Sequence, residues 1–190
     1  MRRSNFISKL VGVVDLPEEV IDEILEVTHR VKHPKRTILL EPGQVCSRFY
    51  FIEKGLARTY FISGSKELTT DLCIDQEFLS DFSSFFSQQP STQYIELLEN
   101  SELYYMEYKD LQSLYDKHSV MERLGRLIAE YHYTSLSAHT YNLKFNTTSE
   151  RYKQLFTRKL EVIKRTPIGI IASYLGMSIE NLSRIRSKVG

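Results

Sequence analysis

In the stretch Thr166-Pro167-Ile168-Gly169-Ile170-Ile171-Ala172-Ser173-Tyr174-Leu175-Gly176-Met177-Ser178-Ile179-Glu180-Asn181-Leu182-Ser183-Arg184-Ile185-Arg186, two helix starts flank one helix stop. Thr166 is placed to cap a helix that opens at Pro167, where proline's missing amide hydrogen costs nothing. Ile168, Ile171, Ala172 and Leu175 fall on one face of it, with Ala172 small where a second helix crosses. Gly176 can take the left-handed conformation that ends the first helix. Ser178 is placed to cap the second, which Leu182 and Ile185 anchor inward. Two short helices joined by a glycine turn have the helix-turn-helix form.

With Leu182 and Ile185 inward, Glu180, Asn181, Ser183, Arg184 and Lys188 point outward or sideways. Their chemistry suits a duplex. Arginine donates twice to guanine O6/N7, glutamate accepts from cytosine N4, and serine or asparagine reaches phosphates or base edges. Glu180 and Arg184 are also four apart, the register of a helical ion pair, which can itself hold the arginine toward a base. The charge balance points the same way. Residues 144–190 hold ten Lys/Arg against three Asp/Glu, whereas residues 1–143 hold 15 against 21. An acidic body with a basic end is expected to meet a polyanion through that end.

The 190 residues are 42% apolar and 26% charged, in the range of folded chains. No apolar run approaches the roughly 20 residues of a membrane helix. The basic start Met1-Arg2-Arg3-Ser4-Asn5 is not followed by the apolar region of a signal peptide. The expected compartment is the cytoplasm. Cys46 and Cys73 provide neither a disulfide framework nor four ligands for an iron–sulfur cluster, and both are expected on strands, reduced and buried. There is no glycine-rich phosphate loop, nucleophile elbow or close metal-ligand pair, so no catalytic role, metal or cofactor is expected. His132 and His139, seven apart on one helix, are expected as polar seam residues.

Upstream, Asp15-Leu16-Pro17-Glu18 has capping-box spacing before the stripe Val20, Ile21, Ile24 and Leu25. From about residue 31 to 107, short β-type runs alternate with turns: Ile38–Leu40, Phe49–Ile52, Arg58–Ile62, Glu67–Ile74, Tyr94–Leu98 and Ser101–Glu107. Spacings near ten residues predict an antiparallel sandwich or barrel. His29 and His33 flank a basic run expected as a solvated edge strand. A short helix over Tyr108–Lys117 leads into a longer one from about Ser119 to Ala138. On it Met121, Leu124, Gly125, Ile128, Tyr131, His132 and Ser135, with Leu136, are expected to form a homodimer seam. Packing of this face on the chain's own β-domain is the alternative. Asn142–Ser149 reads as a hinge, with Thr148 or Ser149 capping a helix from Glu150 to Leu160.

This order of parts resembles the cyclic-AMP receptor protein/FNR (Crp/Fnr) family of bacterial transcription regulators over essentially the full chain. The most specific piece is Ile171–Arg186, preceded by Glu150-Arg151-Tyr152, which looks like the variant common in Bacteroidetes-type members. Pro42-Gly43, Phe49–Gly55 and Arg58-Thr59-Tyr60 resemble the family's cyclic-nucleotide-binding jelly roll. The resemblance implies an α+β fold: an antiparallel β-roll sensor-like domain with flanking helices over 1–117, a dimerisation helix over 118–141 and a helix-turn-helix domain over 142–190. It implies a homodimer on double-stranded DNA, with a palindromic operator whose half-sites lie about one turn apart. RNA polymerase is a further partner if the protein activates.

The chain also departs from the family. Where cyclic-AMP-binding members pair Gly-Glu with Arg-Ser, it has Ser80-Asp81 and Ser91-Thr92. Asp81 keeps a carboxylate for a ribose, but Ser91 cannot supply an arginine's charge to a phosphate. The effector pocket expected from Phe78, Ser80, Asp81, Ser91 and Thr92 is thus not one for cyclic AMP; another effector, or none, fits better. Ile179 stands where many members have a guanine-reading arginine and offers a contact for a thymine methyl. The sequence ends soon after Arg186, so phosphate contacts are expected from the Thr166 helix start, Arg186 and Lys188. The competing expectation is a ligand-binding β-roll whose helical tail docks a protein partner without specific DNA binding.

Overall fold

The structure, a computed structural model, describes residues 4–189; the basic Met1-Arg2-Arg3 start lies outside them. It opens on a helix that the local sequence does not announce. α1 (Asn5–Val13) is capped by Ser4, whose hydroxyl accepts from the Ile7 amide, and buries Phe6, Ile7 and Leu10. The cause is tertiary: the Phe6 ring lies 5.3 Å from that of Tyr104 and 5.5 Å from that of Phe51. α2 (Glu18–Val27) buries Val20 and Ile24. The capping box expected from Asp15 does not form. Pro17 is the cap, without a side-chain bond, and Glu18 and Glu19 complement the helix N-terminus by charge instead.

The strands are β1 (His29–His33), β2 (Ile38–Leu40), β3 (Arg48–Lys54), β4 (Leu56–Ser63), β5 (Lys66–Ile74), β6 (Phe78–Leu79), β7 (Tyr94–Leu97) and β8 (Ser101–Glu107), with α3 (Phe82–Ser87) between β6 and β7. They form two four-stranded antiparallel sheets, ordered β1-β8-β3-β6 and β2-β7-β4-β5. One core fills the space between them, with Phe51, Ile52 and Leu103 from the first sheet meeting Ala57, Ile95 and Leu97 from the second. β1 is an edge strand, as its basic run suggests. β4 breaks the alternation of a one-sided strand: Leu56 to Tyr60 are all buried, with Leu56 covered by Val162 of the C-terminal helices, Arg58 enclosed by Glu67, Glu96 and the Tyr60 ring, and Tyr60 stacked on Tyr94. At the β3–β4 turn, Gly55 has φ +146° and lies so close to β8 that an added Cβ would fall 2.5 Å from the Ser101 Cβ. Cys46 sits in the loop before β3 rather than on a strand; both cysteines are buried and free.

α4 (Tyr108–Lys117) leads into α5 (Ser119–Phe145), 27 residues long. At 1.5 Å per residue it spans about 40 Å. It runs past the Ala138 expected as its end and through half of the expected hinge. The break is confined to Asn146 and Thr147. Thr147, rather than Thr148 or Ser149, caps α6 (Thr148–Arg158), in a reciprocal capping box with Glu150. α7 (Leu160–Arg165), α8 (Ile168–Tyr174) and α9 (Ile179–Val189) complete the chain. No helix among the described residues is long and apolar enough to cross a membrane. The α+β class expected from the sequence is the one observed.

Part of the α5 face expected as a seam packs on the chain's own core, the alternative stated for it. Met121 and Leu124 are each 2% exposed and belong to the chain's own core. Gly125 abuts Tyr115, whose hydroxyl occupies the space where a Cβ would stand. Ile128 packs half-buried against the same core, and His132 stacks on Phe82 at 3.7 Å. Of the expected set, Tyr131, Ser135 and Leu136 are exposed.

Candidate nucleic-acid interface and the polar cradle of the β-roll

The C-terminal helices have a core of their own, built by Tyr152 and Leu155 of α6, Ile163 of α7, Ile171 and Ala172 of α8, Leu175, and Leu182 and Ile185 of α9. Gly176 turns the chain at φ +61°, and the Met177 amide donates back to the Ala172 carbonyl at 3.0 Å. The Ser178 hydroxyl then accepts from the Asn181 amide at 3.2 Å and starts α9. With Leu182 fully buried and Ile185 nearly so, α9 leaves Ile179, Glu180, Ser183, Arg184, Arg186 and Lys188 exposed and Asn181 half-buried. Among the described residues no ion pair joins Glu180 to Arg184. The Glu180 carboxyl is held below its usual range first by its own backbone amide and then by Ser178, with Arg184 adding only charge at a distance.

Thr166 departs from expectation. It is buried, it ends α7 rather than capping α8, and its hydroxyl has no partner. It is therefore not placed to meet a phosphate. Arg151 of α6, which sequence reasoning did not single out by role, secures the other end of α8. Its Nη1 donates to the Leu175 carbonyl at 2.5 Å and sets a cation on the helix C-terminus.

The basic end is also not wholly free. The Lys159 ammonium lies 2.8 Å from Glu77, and the Arg165 guanidinium reaches Asp75 at 2.6 Å, Glu99, and the Gly55 carbonyl at 2.9 Å. Part of the charge asymmetry is thus satisfied within the molecule. The sequence shows both signs, but only the topology brings them together.

In the β-roll, Asp81, Ser91 and Thr92 meet around a polar cavity of about 180 Å³, with Ser83, Ser84, Ser87, Gln89, Pro90 and Gln93. Phe78 and Ser80 do not line it. Phe78 borders an apolar cavity under α1, α3 and α5, and the Ser80 hydroxyl bonds the Arg48 carbonyl. The cavity lining holds one carboxylate and no cation. Asp81 does not wait free for a ribose. One oxygen accepts from the Ser83 and Ser84 amides at 3.1 and 3.3 Å, and the other accepts from the Ser91 hydroxyl at 2.6 Å.

His139 stacks on Tyr174 of α8 at 4.3 Å between ring centroids, where α5 meets the helix-turn-helix. Burial pushes its pKa below 6.5 and nearby Arg151 pushes the same way, against Asp71. His132, on Phe82, is likewise lowered by burial. Because the folded value lies below the unfolded one, this packing is complete above pH 6.5 and weakens as the pH falls below it. The melting temperature is expected to fall on acidification below pH 6.5, and His139→Phe to flatten part of that fall. A variant with the wild-type pH profile would remove His139 from this role.

Residues 30–118 match the cyclic nucleotide-binding domain family. No curated protein matches the sequence. Among solved structures, the chain is similar to the c-di-GMP responsive global regulator CLP of Xanthomonas campestris, at 19% identity and a TM-score of 0.66 over 91% of each chain. It is similar to FixK2 of Bradyrhizobium japonicum, at 16% identity and a TM-score of 0.72 over 86% of this chain and 84% of that one. It is also similar to a protein of Eubacterium rectale assigned to the Crp/Fnr family of transcriptional regulators, at 15% identity and a TM-score of 0.71 over 90% and 82%. At these identities the likeness is one of fold.

Proposed function

From a chain that has the fold of the Crp/Fnr transcription regulators and carries a cyclic nucleotide-binding domain over residues 30–118, we propose a sequence-specific DNA-binding regulator that works as a homodimer. The observation that supports it most is the geometry of α9: a capped helix, anchored by Leu182 and Ile185, that presents Glu180, Ser183 and Arg184 outward, with no ion pair holding Arg184 among the described residues. Ser178, Ile179 and Asn181 stand at its start, and Arg186 and Lys188 follow toward its end for phosphates. The proposed parts are the β-roll with its flanking helices (1–117), the dimer helix (118–141) and the DNA-binding unit (142–190).

The dimer seam in this reading is the second apolar face of α5. Leu127, Tyr131, Thr134, Ala138, Tyr141 and Phe145 recur at alternating steps of four and three residues, the period of two helices wound on each other. Tyr131, Tyr141 and Phe145 are 71%, 59% and 69% exposed in the single chain. The polar cradle, with a carboxylate inside and no cation, is not a cyclic AMP site in this reading. Any effector there is a different molecule. RNA polymerase is a partner if the regulator activates.

Two measurements check the reading. Each phosphate neutralised releases counterions, so binding to a preferred duplex should weaken steeply with salt. A shallow salt dependence would favour a protein partner for the tail. Arg184→Ala should cost about 1–3 kcal/mol on the preferred site and relax one base position. Unchanged affinity and preference would remove Arg184 from the reading set.

A further inference from the structure

The helix-turn-helix unit is fastened to the β-roll by a polar clasp. Arg165, at the end of α7, bridges Asp75 and Glu99 and also donates to the Gly55 carbonyl. Lys159, between α6 and α7, bonds Glu77 and the Leu72 carbonyl at 3.2 Å. Ser173 of α8 closes the free edge of β5: its hydroxyl accepts from the Thr69 amide and donates to the Glu67 carbonyl, both at 2.9 Å. Val162, buried against Leu56, Leu72 and Leu98, seals the centre.

The clasp does not cover α9, whose outward face stays exposed with the unit docked. It is therefore not a mask. What it fixes is direction. α5 is tied to the β-roll through Met121 and Leu124 in the shared core, while its covalent link to α6 runs through the two residues of the break, Asn146 and Thr147. Along the chain alone, α9 could swing relative to α5. The His139–Tyr174 stack holds the unit to α5 at one apolar point, and the clasp adds the polar restraint that fixes it to the β-roll.

We propose that the Arg165–Asp75–Glu99 and Lys159–Glu77 clasp is a specificity device: it sets the angle between α5 and α9, and so the half-site spacing that a dimer joined along α5 accepts. The inference rests on the DNA-binding dimer proposed above. In such a dimer the seam fixes one end of the ruler and the clasp fixes the other. A spacer longer or shorter by one base pair rotates the second half-site by roughly 35°, so a rigid dimer must deform itself or the DNA to follow.

The test uses the full-length protein on duplexes carrying the half-sites that the wild type itself selects, at its chosen spacing and at one base pair more or less. Wild type is expected to lose about tenfold or more in affinity at the wrong spacings. The variants are Asp75→Asn with Glu99→Gln and, as an independent arm, Glu77→Gln. They are expected to shrink that penalty to about threefold or less while keeping the half-site base preference, because α9 and its core are untouched. Hydrogen exchange confirms the cause: the Thr69 amide, held by Ser173, should lose protection, while β4 amides paired to β7 should not. A variant that keeps the wild-type spacing penalty overturns the proposal and leaves the DNA-binding reading intact. So does a wild type indifferent to spacing. A wild type that selects no two-fold site fails the DNA-binding reading and the clasp's proposed role together.

Discussion

Leu182→Ala is expected to abolish DNA binding while leaving the β-roll folded. Leu182 is fully buried in α9 and packs in the small C-terminal cluster, which is separate from the core between the sheets. A buried Leu→Ala change costs about 2–5 kcal/mol, through lost transfer energy and the cavity left behind. Among the described residues the cluster has eight buried members to absorb it, against twenty-five in the main core. The loss should therefore appear as local opening of the helix-turn-helix. Amide protection in α9 should drop by roughly 30-fold to several thousandfold, while β3 and β8 keep theirs. If the β-roll lost protection in parallel, the two cores would form one cooperative unit. If α9 kept its protection, Leu182 would not be its anchor.

The second large effect is at the seam. In the proposed dimer, Leu127→Glu with Tyr131→Glu places like charges opposite their own copies, at a cost of several kcal/mol. The variant should run as a single chain of 22.3 kDa instead of twice that mass. On a palindromic duplex its affinity should fall by about 100-fold or more, since linked half-sites gain avidity that a monomer lacks. On an isolated half-site it should match the wild type. A variant that stays dimeric would move the interface away from this face of α5.

The parts legible in sequence are those specified by short-range chemistry. Gly176, Ser178, Leu182 and Ile185 announce the turn, the cap and the anchors of α9 within ten residues, and the β-runs announce themselves by their punctuation. The parts not legible depend on partners distant in the chain. α1 exists because Phe6 has Tyr104 and Phe51 to pack on, residues that β8 and β3 deliver. Asp15 has capping spacing, but the chain reaches α2 through Pro17 instead. α5 carries two apolar stripes, one ending in His132 on Phe82 and the other running from Leu127 to Phe145. A single periodicity merges them, and only contact with the β-roll separates them. Net charge likewise shows a basic end without showing that Lys159 and Arg165 already face Glu77, Asp75 and Glu99.

Sequence-specific binding by a homodimer can be measured by selecting sites from a random pool of duplex DNA with the purified full-length protein, alone and with a small-molecule cell extract. The expected result is a two-fold symmetric motif with half-sites about one helical turn apart, roughly 10–10.5 base pairs centre to centre. Failure to enrich any motif under either condition would contradict it, as would a single asymmetric site bound by one chain.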